Sequence, residues 1–491
     1  VSSIFQTSTT PKLAGSFFDF KTSDIPQIPA SIGRKVALVF THSWGPVNSV
    51  VEVGSLAEWL DVYGGDPSNP SPGYIAALEA FKGSGFNGER GAGGMVAYRI
   101  AGSAAAKASH AFTNTTPATA ITLTAKHEGT TGNALRVTTQ DHAADTTKDE
   151  MLILDSSGAV LETYVYTDTN IADLAAQINA ASQYVTAVEA ITGVKLTAVA
   201  NTALTAGNDG STLLAADYTD ALDALSVPRF GVLAFENLTD GAIIASVLAW
   251  AKAQDVAGHR FFTVLGGAVD EDITAAITRS ASLNDPNFIN VGVGSVADDS
   301  VLVSGSAVVL SSAQLAPRIA GLVANRGERQ SLTFAKLADL RVVNGPSATD
   351  IVKAYDNGVV VLSRASDPQA TVRVEKGLTT YTSDTSDMPR GVFSIPRFVA
   401  VMHGIQDDLT QWAEENVIGQ SSVDDDTRYA VLSQINALLT ERERLGAIQS
   451  GWTASVASSP PPSDDDNFVA FNISAHFGRS TEQVLFTAQL A

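Results

Sequence analysis

The pattern of apolar and polar positions changes character several times along the 491 residues. Residues 1–30 show no periodicity. Residues 7–12 are polar and include a proline, Phe17, Phe18 and Phe20 surround Asp19, and Pro26 and Pro29 forbid a helix. An extended arm is predicted there, with aromatic side chains that need somewhere to be buried. Residues 36–40 form a continuous apolar run of buried-strand type. After Gly45-Pro46, Ser55 is placed to cap a helix containing Leu56, Trp59 and Leu60, and Ile75, Leu78 and Phe81 carry a second helix. A strand is predicted over 95–100.

Between about 109 and 206 Thr and Ala dominate, with strand-like runs at 121–125, 134–139, 151–154, 160–166 and 194–198 around a helix at 171–182. Short strands separated by turn signals predict a β-rich, sandwich-like unit inserted into the surrounding chain. From Tyr218 helices and short apolar strands alternate: helices at 218–225, 240–253, 273–283 and 313–325, and strands at 230–235, 261–265, 288–293, 301–310 and 359–362. Such alternation predicts an α/β layer, a mainly parallel sheet with helices on both faces. In the last third, Met402, Ile405, Leu409 and Trp412 fall at helical spacing, as do Leu432, Ile435, Leu438, Leu439 and Leu445 behind Asp424, Asp425, Asp426 and Thr427.

The final stretch alternates with period two. Val469, Phe471, Ile473, Ala475 and Phe477 interleave with Ala470, Asn472, Ser474 and His476. After Gly478-Arg479-Ser480, Val484, Phe486, Ala488 and Leu490 resume the alternation. Left unpaired, such strands invite aggregation, so a strand of the same molecule or of another must cover them. The pattern alone does not choose between the two.

Composition narrows the function. Charged residues are 17% of the chain, fewer than the roughly 25% of ordinary soluble domains, so part of the surface is a candidate for cover by partners. A net charge of −21 opposes binding to nucleic-acid phosphates, which needs a Lys/Arg footprint, and to anionic membranes. No cysteine is present, which removes disulfides, thiolate nucleophiles and Cys-based metal sites. Val1-Ser2-Ser3-Ile4-Phe5 has no leader character, and the apolar run 242–253 is too short to span a bilayer, so a soluble protein is expected.

Signals for chemistry are weak. Gly292-Val293-Gly294-Ser295-Val296-Ala297 has the spacing of a dinucleotide fingerprint, but Asp298-Asp299 would repel a pyrophosphate and a strand-like run follows. A tight turn at a strand end is the better reading. There is no phosphate-cradling loop and no Gly-x-Ser-x-Gly elbow. The seven histidines are scattered without metal-ligand spacing; His403 reads as structural within a helix and His476 as part of a polar strand face. The acidic runs Asp424 to Asp426 and Asp464 to Asp466 lack the glycine and distal Glu of a calcium loop. No catalytic, cofactor-binding or metal-binding residue is assigned.

The order of segments resembles the tail sheath protein family of contractile bacteriophages and related injection systems. Carriers of the resemblance are Lys35 to Phe40 with Trp44-Gly45-Pro46-Val47 and Ser55 to Trp59, and then Val96 to Ile100. Next come Leu123-Thr124-Ala125-Lys126 with Gly129-Thr130-Thr131-Gly132-Asn133-Ala134-Leu135, and Leu204 to Gly210 with Asp217 to Leu222. Leu315 to Gly321, Asn357 to Val361, Val374 to Thr380 and Gly446 to Ile448 complete it. Each motif is short; their order across nearly the whole chain is the specific part.

The resemblance implies a non-enzymatic structural protein with a subtilisin-like sheath fold in its main domain; no Asp-His-Ser set is assigned, so protease activity is not carried over. It implies an N-terminal arm (1–30), a core (31–107 and 208–372), an outward-facing inserted domain (108–207), a C-terminal α+β polymerisation domain (373–479) and a C-terminal arm strand (480–491). Subunits of this family form hexameric rings, stacked helically around a tail tube and joined to baseplate and tail terminator proteins. They assemble in the host cytoplasm into a virion whose contraction drives the tube through the cell envelope for genome ejection. Neighbouring arms add strands to one another's sheets.

Candidate inter-subunit contacts on this reading are Phe17, Phe18, Phe20, Val469, Phe471, Ile473, Phe477, Val484 and Phe486. Residues 469–477 are expected to belong to the subunit's own sheet and 482–490 to reach into a neighbour. Asp424, Asp425 and Asp426 are candidates for a tube-facing surface. Two readings compete: an α/β enzyme with a β-rich substrate-binding insert, which needs a convergent polar pocket, and a secreted adhesin, which the missing leader disfavours.

Overall fold

The computed structural model describes residues 35–478 apart from 68, 87, 211, 366–370, 420–424 and 458–469. The chain enters the principal sheet through β1 (Lys35–Phe40), passes β2 (Val50–Val53) and the helices α1 (Leu56–Tyr63) and α2 (Pro72–Lys82), and returns as β3 (Gly94–Arg99). It then leaves for β4 (Lys107–Thr113), β5 (Thr119–Glu128), β6 (Arg136–Asp141), β7 (Lys148–Leu154) and β8 (Val160–Thr167). Helix α3 (Ile171–Ala181) and strands β9 (Val185–Glu189) and β10 (Val199–Ala203) follow.

Back in the main layer come α4 (Ala215–Ala224), β11 (Val232–Phe235), α5 (Gly241–Val256), β12 (Phe262–Gly266), α6 (Ile273–Leu283) and β13 (Phe288–Gly292). A hairpin, β14 (Ser295–Val303) and β15 (Ser306–Ser311), leads into α7 (Ser312–Arg326). Then follow β16 (Lys336–Leu337), β17 (Leu340–Asn344), α8 (Ala348–Asp356), β18 (Val359–Arg364) and β19 (Val372–Val374). The last elements are α9 (Arg390–Phe393), α10 (Pro396–Asn416), α11 (Asp425–Arg444), β20 (Thr453–Val456) and β21 (Phe471–Ser474).

Among the described residues the principal sheet runs β16-β19-β18-β13-β12-β11-β1-β3-β2. Its interior, β18 through β3, is parallel, and antiparallel strands close both edges. Strand β1 shows why its sequence reads as continuously apolar. Val36, Leu38 and Phe40 face a cluster with Trp59, Ala76, Leu315 and Ile319 from α1, α2 and α7. Ala37 and Val39 face the opposite cluster with Leu222, Val247 and Phe288. A strand covered on both sides needs apolar residues at every position. The mixed α/β layer is thus as the alternation of segments predicts.

Helix α7 is buried along most of its length and begins with a capping box, Ser311 accepting from Gln314 N while the Gln314 side chain accepts from Ser311 N. It crosses α2 where Gly321 meets Ala80: a Cβ at 321 would stand 2.1 Å from the Ala80 carbonyl oxygen. At this crossing Arg318, fully buried, pairs with the fully buried Glu79 at 3.0 Å. Lys82 reaches both Glu79 and Asp298. Although burial opposes it, a proton shared with the Glu79 carboxyl and a hydrogen bond from Lys82 hold the Asp298 carboxyl down at about 2.

Residues 107–203 build two small antiparallel sheets, β4-β5-β9 and β10-β6-β7-β8, which with α3 share a cluster of Ile121, Leu123, Val137, Met151, Leu174 and Ile178. Trp44 from the main layer is inserted into the same cluster, edge-on to His127. The chain enters and leaves this unit side by side: Ala106 and Asn208 exchange both backbone hydrogen bonds at 2.9 Å. Arg99 anchors the junction by donating to the carbonyls of Gly45 and Glu128.

Two strand expectations are corrected. The run 301–310 is not one strand but parts of β14 and β15, because Ser304 (φ 52) and Gly305 (φ 79) form a turn with two positive φ values, the geometry that suits a two-residue hairpin. The run 194–198 gives way to β10 at Val199–Ala203, whose position is set by pairing with β6, while Leu196 is buried through an isolated bridge to Asn114. No helix among the described residues is long and apolar enough to cross a membrane.

Candidate assembly interface

The sequence candidates that fall on described residues gather in the C-terminal region. Helix α10 starts at Pro396, a residue whose fixed φ and missing N–H suit a first helical position. Its Val401, Ile405, Leu409 and Trp412 face Val431, Ile435 and Leu439 of α11. Helix α11 carries Asp425 and Asp426 in its first turn and Arg442 and Arg444 in its last, which complements its dipole at both ends.

Beyond α11 the chain forms a long two-stranded ladder. Strand β20 pairs antiparallel with β21 in the register Thr453↔Ser474 to Val456↔Phe471. The pairing continues through Gln449 N to His476 O at 2.7 Å and Gly478 N to Ala447 O at 2.9 Å. Among the described residues no third strand joins this sheet, so each strand has one edge without a partner.

The side chains of the ladder are unequally committed. Phe471, Ala475 and Phe477 pack against the α10/α11 cluster, and Phe477 stacks on Phe398 with centroids 5.1 Å apart. Ile473, in phase with them, is 38% exposed. Of the three described aromatic and aliphatic candidates, Phe471 and Phe477 therefore pack, half-buried, against the subunit's own helices, and Ile473 is the more exposed one. Asp425 begins α11 and pairs with Arg428 on its own helix at 2.8 Å. Phe17, Phe18, Phe20, Asp424, Val469, Val484 and Phe486 lie outside the described residues.

Charged groups that sequence reading missed join this region to the α/β layer. Arg397 on α10 donates to the carbonyls of Glu328, Gly446 and Gly478 at 2.9, 2.9 and 2.8 Å, so one guanidinium ties the end of α7, the end of α11 and the ladder together. Arg442 bridges Glu328 at 3.1 Å and Asp408 at 2.5 Å. Burial pushes the Glu328 carboxyl up to about 7 and that of Asp407 to about 6, against the pull of Arg442 and Arg260 respectively. His403 stays neutral, its pKa lowered to about 3 by burial, and contacts Asn287 at 3.0 Å. None of these pairings has a local sequence signature, since each spans dozens of positions.

At the carboxyl ends of the parallel strands, where an α/β sheet would hold a ligand, described residues hydrogen-bond to one another. Thr41 donates to Glu236 through N and Oγ1 at 2.6 and 2.8 Å, and Gly267 N donates to Ser312 Oγ at 2.8 Å. At the end of β13 about 10 Å³ remains between Gly292–Val296 and the start of α7, room for one water at most. The fingerprint-like glycines form the expected turn: Val293 and Gly294 have φ of 69 and 81, and β14 follows directly. A Cβ at 294 would stand 1.8 Å from the Asn344 carbonyl oxygen. A cavity of about 280 Å³ lies at the opposite ends of the strands, between Phe230, Arg260, Phe261 and α10. Its Arg260 is already engaged by Asp255 and Asp407 at 3.4 and 3.7 Å. His42 contacts Ser71 and the Tyr63 carbonyl, at 2.7 and 2.8 Å.

The mixed α/β fold is similar to that of solved sheath proteins. Residues 212–380 match the family model of the phage tail sheath protein central domain, and the resemblance read from the sequence is borne out. The sheath tail protein of Desulfitobacterium hafniense superposes with a TM-score of 0.69 at 22% identity, over 94% of this chain and 100% of that one. The contracted helical sheath of the anti-feeding prophage gives 0.54 at 11% identity, over 98% and 100%. By sequence, the uncharacterized protein YqbK of Bacillus subtilis strain 168 is 26% identical over 411 residues, 81% of this chain and 78% of that protein.

Proposed function

We propose that this chain is the sheath subunit of a contractile tail or a related injection device. Six copies form a ring around a tail tube, rings stack helically, and contraction, triggered at a baseplate, drives the tube through a cell envelope. The particle is a virion or a phage-like assembly. The observation that carries the reading is the β20–β21 ladder: two strands, an exposed Ile473, and no third strand among the described residues to close either edge. A sheet of two strands is marginal by itself. Strands added from neighbouring copies would complete it with main-chain hydrogen bonds, which tether subunits while leaving their rigid bodies free to rotate. A heterologous contact of this kind builds an open helical array.

Phe17, Phe18, Phe20, Val484 and Phe486 then anchor the exchanged arms, and Val469 with Ile473 borders the receiving sheet. The acidic start of α11, Asp424 to Asp426, faces the tube, and the insert faces outward. Removing residues 1–20 or 480–491 leaves folded subunits that no longer polymerise, and Ile473→Lys weakens polymerisation with little effect on subunit stability. Electron microscopy of the purified variants decides: normal sheath tubes from either truncation overturn arm exchange. Charge reversal at Asp424 to Asp426 lowers co-assembly with tube without affecting subunit folding; unchanged co-assembly removes the tube-facing assignment.

A further inference from the structure

The junction between the C-terminal helices and the α/β layer contains a charge imbalance. Arg442 leaves α11 with Nη1 on Glu328, just past α7, and Nη2 on Asp408 of α10. Two carboxylates thus share one guanidinium, and all three side chains are largely buried. Arg442 Nε has no hydrogen-bond partner among the described residues. Helix α10 passes so close to Glu328 that a Cβ on residue 404 would fall 1.9 Å from its Oε1, so the carboxylate has no room to retreat on that side. The backbone of the same turn begins the ladder, since Arg442 O accepts from Ala447 N at 2.9 Å.

We infer that Arg442, held between Glu328 and Asp408, is a proton-operated latch that fastens α11 and the β20–β21 ladder to the α/β layer. With one proton on the carboxylate pair, the buried charge balances. With none, a surplus negative charge is buried at the junction, at a cost that desolvation makes large. Burial raises both the Glu328 and the Asp408 carboxyls, and the like charge of Asp408 raises Glu328 further. A carboxyl whose pKa is raised on docking favours the docked state at low pH, and that contribution fades as pH climbs from its free value, near 4.3, to its docked value. For Glu328 the window is therefore about pH 4 to 7.

Other groups at the junction act alongside. Arg329 and Asp407 oppose each other at Glu328. Asp407, faced by Arg260 and Arg229, changes in the same direction as Glu328. His403 on α10 works in the opposite direction, because acid protonates the undocked imidazole. His403 contacts Asn287 and Phe262 rather than α11, so α11 is where the latch is read most directly.

Amide hydrogen exchange on the full chain as soluble subunits, from pH 5 to 7.5 and corrected for intrinsic exchange, tests this. In the wild type, protection of α11 falls at least about tenfold across that range relative to α7, the change that release of a single linked proton produces over one decade of acidity. Glu328→Gln and Asp408→Asn each reduce the slope by removing one of the two carboxylates, leaving the part that Asp407 contributes. A flat wild-type profile, or a wild-type slope retained in both variants, overturns the latch. Should one variant fail to fold, the other and the wild-type series still decide.

Discussion

At the scale of single residues, the molecule keeps several ionisable groups where solvent does not reach, and each has a directional consequence. Arg318 and Glu79 are both fully buried and paired at 3.0 Å, with Arg318 also donating to the Ala338 carbonyl. Arg318→Met leaves the buried Glu79 carboxyl with Lys82 as its cationic neighbour and costs up to about 3–5 kcal/mol, whereas a well-packed apolar replacement of both partners recovers most of that loss. Chemical denaturation of the three proteins measures the difference. His42 behaves as a buried neutral base, its pKa lowered to about 4 by burial first and then by Arg99. A depressed imidazole contributes stability above its free value near 6.5 and loses it as pH falls toward its folded value, so acidification from pH 7 to 4 costs on the order of 3 kcal/mol here. His42→Gln removes that part of the pH dependence, which unfolding curves at the two pH values resolve.

At the scale of elements, local signals and long-range pairings separate cleanly. Helix α6 is legible to the residue because Asp272 caps its start and Asn284 (φ 38) ends it. The capping box of α7 is a similar local signal, and Ser311→Ala should lower stability by about 1 kcal/mol in thermal unfolding. Helix α8 has the same signature in Ser347 and Asp350 but is overshadowed by the stronger apolar run of β18 beside it. The β14–β15 hairpin reads as one strand because the short Ser304-Gly305-Ser306 stretch lies between the apolar runs 301–303 and 307–310 and interrupts them too briefly. The candidate interface is legible in part. Period-two alternation marks β21 and helical spacing marks α10 and α11, but alternation assigns Ile473 and Phe477 to one face and cannot tell which of them the helices cover. The Glu79–Arg318 pair spans 239 positions and the Arg442–Asp408 pair 34, distances at which sequence spacing carries no information.

At the scale of the whole molecule, the insert is joined to the main layer near one place, through Trp44 in its cluster, Ser43 hydrogen-bonded to Thr131, Arg99 on the Glu128 carbonyl and the paired strands near Ala106 and Asn208. Replacing residues 107–207 by a short turn should leave the α/β layer folded. Trp44 would become exposed, seen as a red shift in fluorescence, and the melting temperature should drop by several degrees while α7 keeps its exchange protection. Because Ala106 and Asn208 already exchange both main-chain bonds, whatever is spliced between them begins and ends at one place. A cassette gained, lost or traded at that socket therefore leaves the strand register of the α/β layer behind it in place.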